Sequence, residues 1–300
     1  MDAVDRVILQ QLATNCRTTY QELAKLCNIS ANAVKKRVKK LESSGVITGY
    51  RVSLSPAMTG INTLYGMLAT DGSRDETEFV NTLGANDKIL AAAAYTGGNF
   101  ALIAEFQDAQ DLWDIGRYLR SFEFINNIET HQLLIDRGST LELTKPHVKV
   151  LKSLVDNPRK SIVDIADESG LSARRVRKLI TDLLRSQAVR FGAFLELGAV
   201  DSIPFLMRIQ WDDQATTHQA ISSWLKSIFT VSLWELYVSA EAPILIGLLT
   251  GENLTEVDDF AQQTRSHEHI DTVTVQIAKY HNFFSGLRTK KLLEIIKQVE

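Results

Sequence analysis

The chain has 300 residues, with 33 Lys/Arg against 36 Asp/Glu, a formal charge of −3 and 45% hydrophobic residues. That is enough chain for two to four small domains, each with its own core, and the balance is that of a globular protein rather than a disordered or fibrous one. The longest apolar runs, Ile89 to Tyr95 and Pro243 to Leu249, are far too short to span a bilayer, and no charged and apolar leader opens the sequence. A cytoplasmic protein with no membrane partner is expected.

The spacing predicts a helix over Val4 to Ala13, with Val4, Ile8, Leu9 and Leu12 on one face, and a second over Thr18 to Leu26, with Tyr20, Leu23 and Leu26. Cys27-Asn28-Ile29 turns the chain into a third helix from Ser30 to Leu41, for which Ser30 is a good N-cap. Val34, Val38 and Leu41 form its buried stripe. Asn32, Lys35, Lys36 and Lys39 lie away from that stripe, with Arg37 and Lys40 on its flanks. Ser43-Ser44-Gly45 stops the helix, and Val46 to Val52 reads as a two-stranded wing. Residues 1–52 therefore read as a winged helix-turn-helix.

Charge is segregated along the chain: net +4 over residues 1–50, −8 over 52–143, +6 over 144–192 and −8 over 193–280. Cations are gathered where a phosphate backbone would be met and anions elsewhere, the electrostatic footprint of a nucleic-acid binder; with the third helix read as a recognition helix, the partner expected is double-stranded DNA.

Asp5 to Leu12, Asn15 to Tyr20, Glu22-Leu23-Ala24, Ile29-Ser30, Val34 to Val38, Leu41-Glu42 and Gly45 to Tyr50 resemble the DNA-binding domain of the Lrp/AsnC (feast/famine) transcription regulators. The resemblance implies sequence-selective DNA binding by the third helix. Asn32, Lys35 and Lys36 would be nearest the bases, while Thr19, Tyr20, Lys39, Lys40 and Arg51 would hold phosphates; Ser30 and Arg37 fall in the same matched stretch.

The chain is also a repeat. An offset of 142 maps Ile8-Leu9 onto Val150-Leu151, Leu12 onto Leu154, Arg17 onto Arg159, Leu23-Ala24 onto Ile165-Ala166, Ile29-Ser30 onto Leu171-Ser172, Val34 onto Val176 and Leu41 onto Leu183. A second winged helix-turn-helix is expected over 144–196. Its third helix, from Ser172, sets Arg174, Arg177 and Lys178 where the first copy has Asn32, Lys35 and Lys36, with Arg175 beside them. Gly45-Val46-Ile47 becomes Gln187-Ala188-Val189, so a second wing is less clearly written.

Residues 53–138 and 200–280 each show strand-helix-strand-strand-helix-strand. The first copy runs Asn62 to Ala69, Glu76 to Leu83, Ile89 to Tyr95, Phe100 to Phe106, Ala109 to Leu119 and Ile125 to Ile135. The second runs Ile203 to Trp211, His218 to Ile228, Val231 to Val238, Ile244 to Thr250, Leu254 to Thr264 and Ile270 to Ile277. Four strands with two helices on one face is the ferredoxin-like arrangement, so the fold class is α+β, with two winged helix-turn-helix domains alternating with two ferredoxin-like (βαββαβ) domains. The latter resemble the Lrp/AsnC regulatory domain. That resemblance implies a homodimer through the ferredoxin-like domains, and an amino-acid-like effector near the turn Thr96-Gly97-Gly98-Asn99, although Phe100 stands where the family usually has an acidic residue. Residues 281–300 read as an amphipathic helix with Leu287, Leu292, Ile295, Ile296 and Val299, expected to pack on the second ferredoxin-like domain or a partner chain.

Little else carries chemistry. Cys16 and Cys27 are expected as small buried hydrophobes, and the six histidines, including His267 and His269, show no metal-ligand spacing. No phosphate loop, nucleophile elbow or carboxylate pair stands out, so neither cofactor nor enzyme activity is expected. Two rivals remain. Siroheme decarboxylases share the Lrp/AsnC architecture, but their histidine-tyrosine signature lacks its histidine in Ile89 to Tyr95; a protein-interaction adaptor would fit a degenerate second copy but not the basic first one.

Overall fold

The computed structural model describes residues 1–199 and 202–298. Val200, the first residue of the expected second ferredoxin-like domain, and Val299, expected on the tail's apolar stripe, lie outside the described residues. The chain runs α1 (Ala3–Thr14), α2 (Tyr20–Cys27), α3 (Ala31–Ser43), β1 (Ile47–Leu54), the one-turn α4 (Pro56–Thr59), β2 (Asn62–Thr70), α5 (Glu76–Leu83), β3 (Ile89–Tyr95), β4 (Asn99–Phe106), α6 (Ala109–Arg120) and β5 (Ile125–Gln132). The second half continues with α7 (Lys145–Leu154), α8 (Ile162–Ser169), α9 (Ala173–Arg185), β6 (Val189–Leu195), β7 (Ile203–Trp211), α10 (His218–Ile228), β8 (Leu233–Val238), β9 (Ile244–Gly251), α11 (Leu254–Arg265) and β10 (Ile270–Phe283), and ends with α12 (Gly286–Lys297). The α+β class and the alternation of winged helices with ferredoxin-like domains are as the sequence predicts. These elements gather into two units, one made of Met1–Gly60 with the stretches beginning at Asp136 and Arg288, the other of Ile61–Ile135 with the stretch ending at Leu287.

The first unit holds both helix-turn-helix repeats. Its helices start where a side chain can accept from an unpaired amide: Asp2 from Asp5, Thr19 from Glu22, Ser30 from Ala33 and Ser172 from Arg175. Gly45 leaves α3 with φ 76°, and Gln187, its counterpart at the 142-residue offset, takes φ 55°. The left-handed turn thus survives the loss of glycine, at a cost that Gly45 avoids.

The wing is corrected. Residues 46–52 do not fold back into two strands. They form the single strand β1, whose partner is β6 of the other repeat, in a two-stranded antiparallel sheet. The packing of the C-terminal tail is corrected too: Leu292 and Ile296 of α12 are buried in one cluster with Val148, Leu151, Val176, Leu179, Leu183 and Phe191 of the second winged helix, not in a ferredoxin-like core. Leu179 stands where the first repeat has Arg37, so the second repeat offers an apolar side chain to this cluster.

In the second unit each half has the strand order expected of a ferredoxin-like fold, β5-β2-β4-β3 and β10-β7-β9-β8, and the two join into one eight-stranded sheet through β3 and β10. Strand β10 runs six residues past the predicted Ile277. That extension, Ala278 to Phe283, pairs antiparallel with Ala91 to Tyr95. Its counterpart after β5, Asp136-Arg-Gly-Ser-Thr-Leu141, has no aromatic residue and turns at Gly138, φ 62°, and on this side the halves meet at an isolated bridge between Leu133 and Ser239 rather than along a strand pair. Helices cover one face of each half over separate cores, around Phe79 and Leu102 and around Phe205 and Leu225. The opposite faces share a third cluster of Tyr65, Tyr95, Ala101, Leu133, Leu206, Ile244 and Ile246. Within one chain these sheet surfaces pair with each other, because the duplication supplies both halves.

Candidate nucleic-acid interface

The two repeats meet along β1 and β6, in the register Tyr50 with Ala193 and Arg51 with Gly192. Exchanging the repeats by the 142-residue offset turns the first of these pairs into the second. The central register, Gly49 to Val52 against Phe191 to Phe194, maps onto itself about a local two-fold passing between these two pairs, and a bulge between Ile47 and Gly49 breaks it at one end.

Side chains break that symmetry. A Cβ on Gly192 would lie 2.7 Å from the carbonyl oxygen of Ala13, so α1 rests directly on β6; the counterpart of Gly192 is Tyr50. The Cys16 amide donates to the Phe191 carbonyl at 2.7 Å, a bond its counterpart Pro158 cannot make. The paired arginines also diverge. Arg17 donates to the carbonyls of Pro158 at 2.5 Å and Lys160 at 3.1 Å, whereas Arg159 lies over the rings of Tyr20 and Tyr50, 5.2 Å from each centroid. The match of Arg17 to Arg159 is visible in the repeat, but their role as clamps between repeats is a tertiary fact that local patterning does not signal.

On α3, Val34, Val38 and Leu41 are buried, which turns Asn32, Lys35, Lys36, Lys39 and Lys40 to solvent. On α9, burial of Val176, Leu179, Ile180 and Leu183 leaves Arg174, Arg175, Arg177 and Lys178 exposed. None of these eight cations pairs with a carboxylate among the described residues. Arg37 does not join them. Its guanidinium bridges Asp2 at 2.7 Å and Asp5 at 2.8 Å, and these hydrogen bonds, Asp5 first, raise its pKa. The pair braces the start of α1 against α3.

Other residues expected at phosphates also have intramolecular roles. The Thr19 hydroxyl donates to Glu22 at 2.8 Å and accepts from the Glu22 amide, and bonds from the Thr19 backbone N–H and hydroxyl hold the Glu22 carboxyl below the usual range. The Tyr20 ring carries Arg159. Arg51 lies 4.9 Å over the ring of Phe194. Ser30 caps α3, its hydroxyl accepting from Ala33 at 3.1 Å. The Tyr50 hydroxyl donates to Glu42 at 2.6 Å, and burial followed by this bond raises its pKa. Cys16 is fully buried and its thiol is pushed up to about 11 by burial, so it stays protonated and inert.

The effector candidate is a tight turn in the second unit. Gly97 and Gly98 have φ of 76° and 71°, which only glycine adopts without strain. Thr70 donates to the Gly98 carbonyl at 2.8 Å, Asn99 to the Thr96 carbonyl at 2.9 Å, and the Ile277 amide to the Thr96 hydroxyl at 3.3 Å. A cluster that sequence patterning missed lies in the same unit: Glu129 accepts from Arg208 at 2.8 Å and meets His131 at 2.9 Å, and His131 reaches Ser239 at 3.1 Å. Among the described residues no three histidine, cysteine or acidic side chains are grouped to hold a metal ion, and no helix is long and apolar enough to cross a membrane.

The winged helix-turn-helix DNA-binding family profile matches twice, at residues 1–48 and 143–190. The transcriptional regulator LrpA of Pyrococcus abyssi is 32% identical over 126 residues, covering 38% of this chain and 82% of LrpA. This chain belongs to the Lrp/AsnC family. The regulatory protein AsnC of Escherichia coli K12 is 33% identical over 104 residues, 34% of this Lrp/AsnC chain and 67% of AsnC. Among solved structures, the siroheme decarboxylase NirDL covers 99% of both chains with a TM-score of 0.56 at 14% identity, so what it shares with this Lrp/AsnC protein is the fold.

Proposed function

We propose that this protein is a sequence-specific DNA-binding transcription regulator in which one chain supplies both recognition helices. The observation that carries the reading is the β1–β6 ladder, which joins the two repeats with a two-fold central register, while the cations of α3 and α9 stay exposed and without a carboxylate partner among the described residues. In this reading Asn32, Lys35, Lys36, Arg174, Arg177 and Lys178 face base edges, while Lys39, Lys40 and Arg175 meet phosphates. The test is binding to a genomic DNA fragment pool at two salt concentrations, for wild type, for Lys35→Ala with Lys36→Ala, and for Arg177→Ala with Lys178→Ala. Each pair should lose selected sites and flatten the slope of log affinity against log salt by about 0.9 per phosphate contact removed. Loss in the first variant only makes the second repeat a scaffold; no selective binding by wild type refutes the reading.

An amino-acid-like effector at Thr96, Gly97, Gly98 and Asn99 belongs to the same reading, and would displace the bonds that Thr70 and Ile277 make there. Calorimetry with an amino-acid panel tests it, absence of heat counting against it. The whole-length likeness in fold to NirDL favours one second reading, a tetrapyrrole-binding enzyme. Titration with an iron tetrapyrrole separates the two: a shifted absorbance band together with absent DNA selection would replace the regulator by the enzyme.

A further inference from the structure

We infer that the two recognition helices read different bases, so that the DNA site consists of two unlike half-sites, one specified by adenine under α3 and one by guanine under α9. This rests on the DNA-binding reading above. The helices begin in the same way: Ser30 caps α3 and Ser172 caps α9, each accepting from the amide three residues on. Asn32 and Arg174 are therefore the second residue of their helices, both exposed, and neither side chain has an intramolecular partner among the described residues. The first turn of a recognition helix is the part that reaches base edges.

The chemistry there differs in kind. An amide side chain offers one donor and one acceptor, matching N7 and the N6 amine of adenine, whereas a guanidinium offers two parallel donors, matching O6 and N7 of guanine, and has no acceptor for the adenine amine. The neighbouring positions deepen the contrast. Ala33 and Lys35 of α3 correspond to Arg175 and Arg177 of α9 at the 142-residue offset, so α9 crowds three arginines into its first half. In the second half the order reverses: Lys39 and Lys40 of α3 correspond to Thr181 and Asp182, and the Thr181 hydroxyl is turned inward to the Arg177 carbonyl at 2.9 Å. Half-site binding by α3 thus leans on phosphates along its length, and binding by α9 on arginine forks at one end. A homodimer repeats one helix and is confined to like half-sites; within a duplicated chain the two diverge while the β1–β6 ladder keeps their pairing.

The experiment is selection from random-sequence duplex DNA with the full chain, as wild type, Asn32→Arg and Arg174→Asn, each checked for an unchanged melting curve. Wild type should enrich a bipartite site with unlike halves, and substituting the adenine in one half or the guanine in the other should each weaken binding on the order of tenfold. Asn32→Arg should convert the adenine to guanine, and Arg174→Asn should do the reverse, each making the two halves alike at that base. A wild-type site with identical halves, or a site that neither exchange alters, overturns the inference while leaving DNA binding standing. Salt-dependent binding with no enriched sequence does the same, and absence of any DNA binding overturns the regulator reading and the inference together.

Discussion

The backbones of the two repeats come close at Gly192, against the carbonyl of Ala13, which makes Gly192→Ala an incisive perturbation. Its φ lies outside the left-handed region, so alanine meets no backbone strain; the whole effect comes from the new Cβ, 2.7 Å from the carbonyl oxygen of Ala13. That oxygen belongs to the end of α1 and cannot rotate away. Relief requires α1 to draw back from β6 by roughly half an ångström, an overpacking cost of about 1–3 kcal/mol. The movement stretches the adjacent 2.7 Å bond from the Cys16 amide to the Phe191 carbonyl, and a buried N–H left unpaired costs about 1–3 kcal/mol more. The expected loss is about 2–5 kcal/mol, a fall of roughly 5–15 °C in the unfolding midpoint of the first unit. Gly49→Ala is the control. There the nearest atom to a new Cβ is Phe194 Cδ2 at 3.8 Å, an ordinary contact, and alanine should gain about 0.4–1 kcal/mol from the unfolded chain. Urea melts of both variants, with hydrogen exchange at the Cys16 amide, decide the matter. Equal midpoints for Gly192→Ala and Gly49→Ala, or full protection of Cys16 in the former, would refute the close approach.

Two further outcomes follow from burial and charge. Leu292→Ala removes a fully buried side chain from the cluster shared with the second winged helix and should destabilise that unit by about 2–5 kcal/mol, while Leu293→Ala, exposed on the same helix, should leave the urea midpoint nearly unchanged. In the other unit, burial pushes the Glu129 carboxyl up, but hydrogen bonds from Arg208 and His131 and their charges outweigh it and hold the group below its ordinary value. Its folded pKa being the lower one, Glu129 contributes stability that is present above its unfolded pKa and lost as pH falls through the folded value. Acid melts should therefore show unit two weakening below about pH 4.5, and Glu129→Gln should flatten that limb; an unchanged acid limb would contradict the assignment.

Most elements, and the two recognition helices, are legible in the sequence because they rest on local rules. A capping side chain three residues from its amide, an apolar stripe at 3.6-residue spacing and an alternating strand are all written within a dozen neighbouring residues. Glu76–Leu83, Ile89–Tyr95 and His218–Ile228 begin and end in the structure where their patterns do. The duplication is equally legible, since an offset needs only the chain itself.

What the sequence leaves open is which surfaces meet. Val46 to Val52 reads as a two-stranded wing because its extended pattern does not name a partner, and only folding makes Ile47–Leu54 one strand paired with β6, some 140 residues away. The same holds for the end of β10, which finds the free edge of β3, and for α12, whose apolar stripe fits the second winged helix because Leu179 replaces the charged Arg37 there. Long side chains are the other tertiary decision. Arg37, Arg51 and Tyr20 look alike to Lys35 or Lys36 as candidates for DNA, yet they are taken up by Asp2 and Asp5, by Phe194 and by Arg159. The sequence by itself determines the local elements and the repeat, because their energetics close over a few neighbours; the tertiary structure decides pairing and which cations stay free, because those energies depend on groups that only the fold brings together.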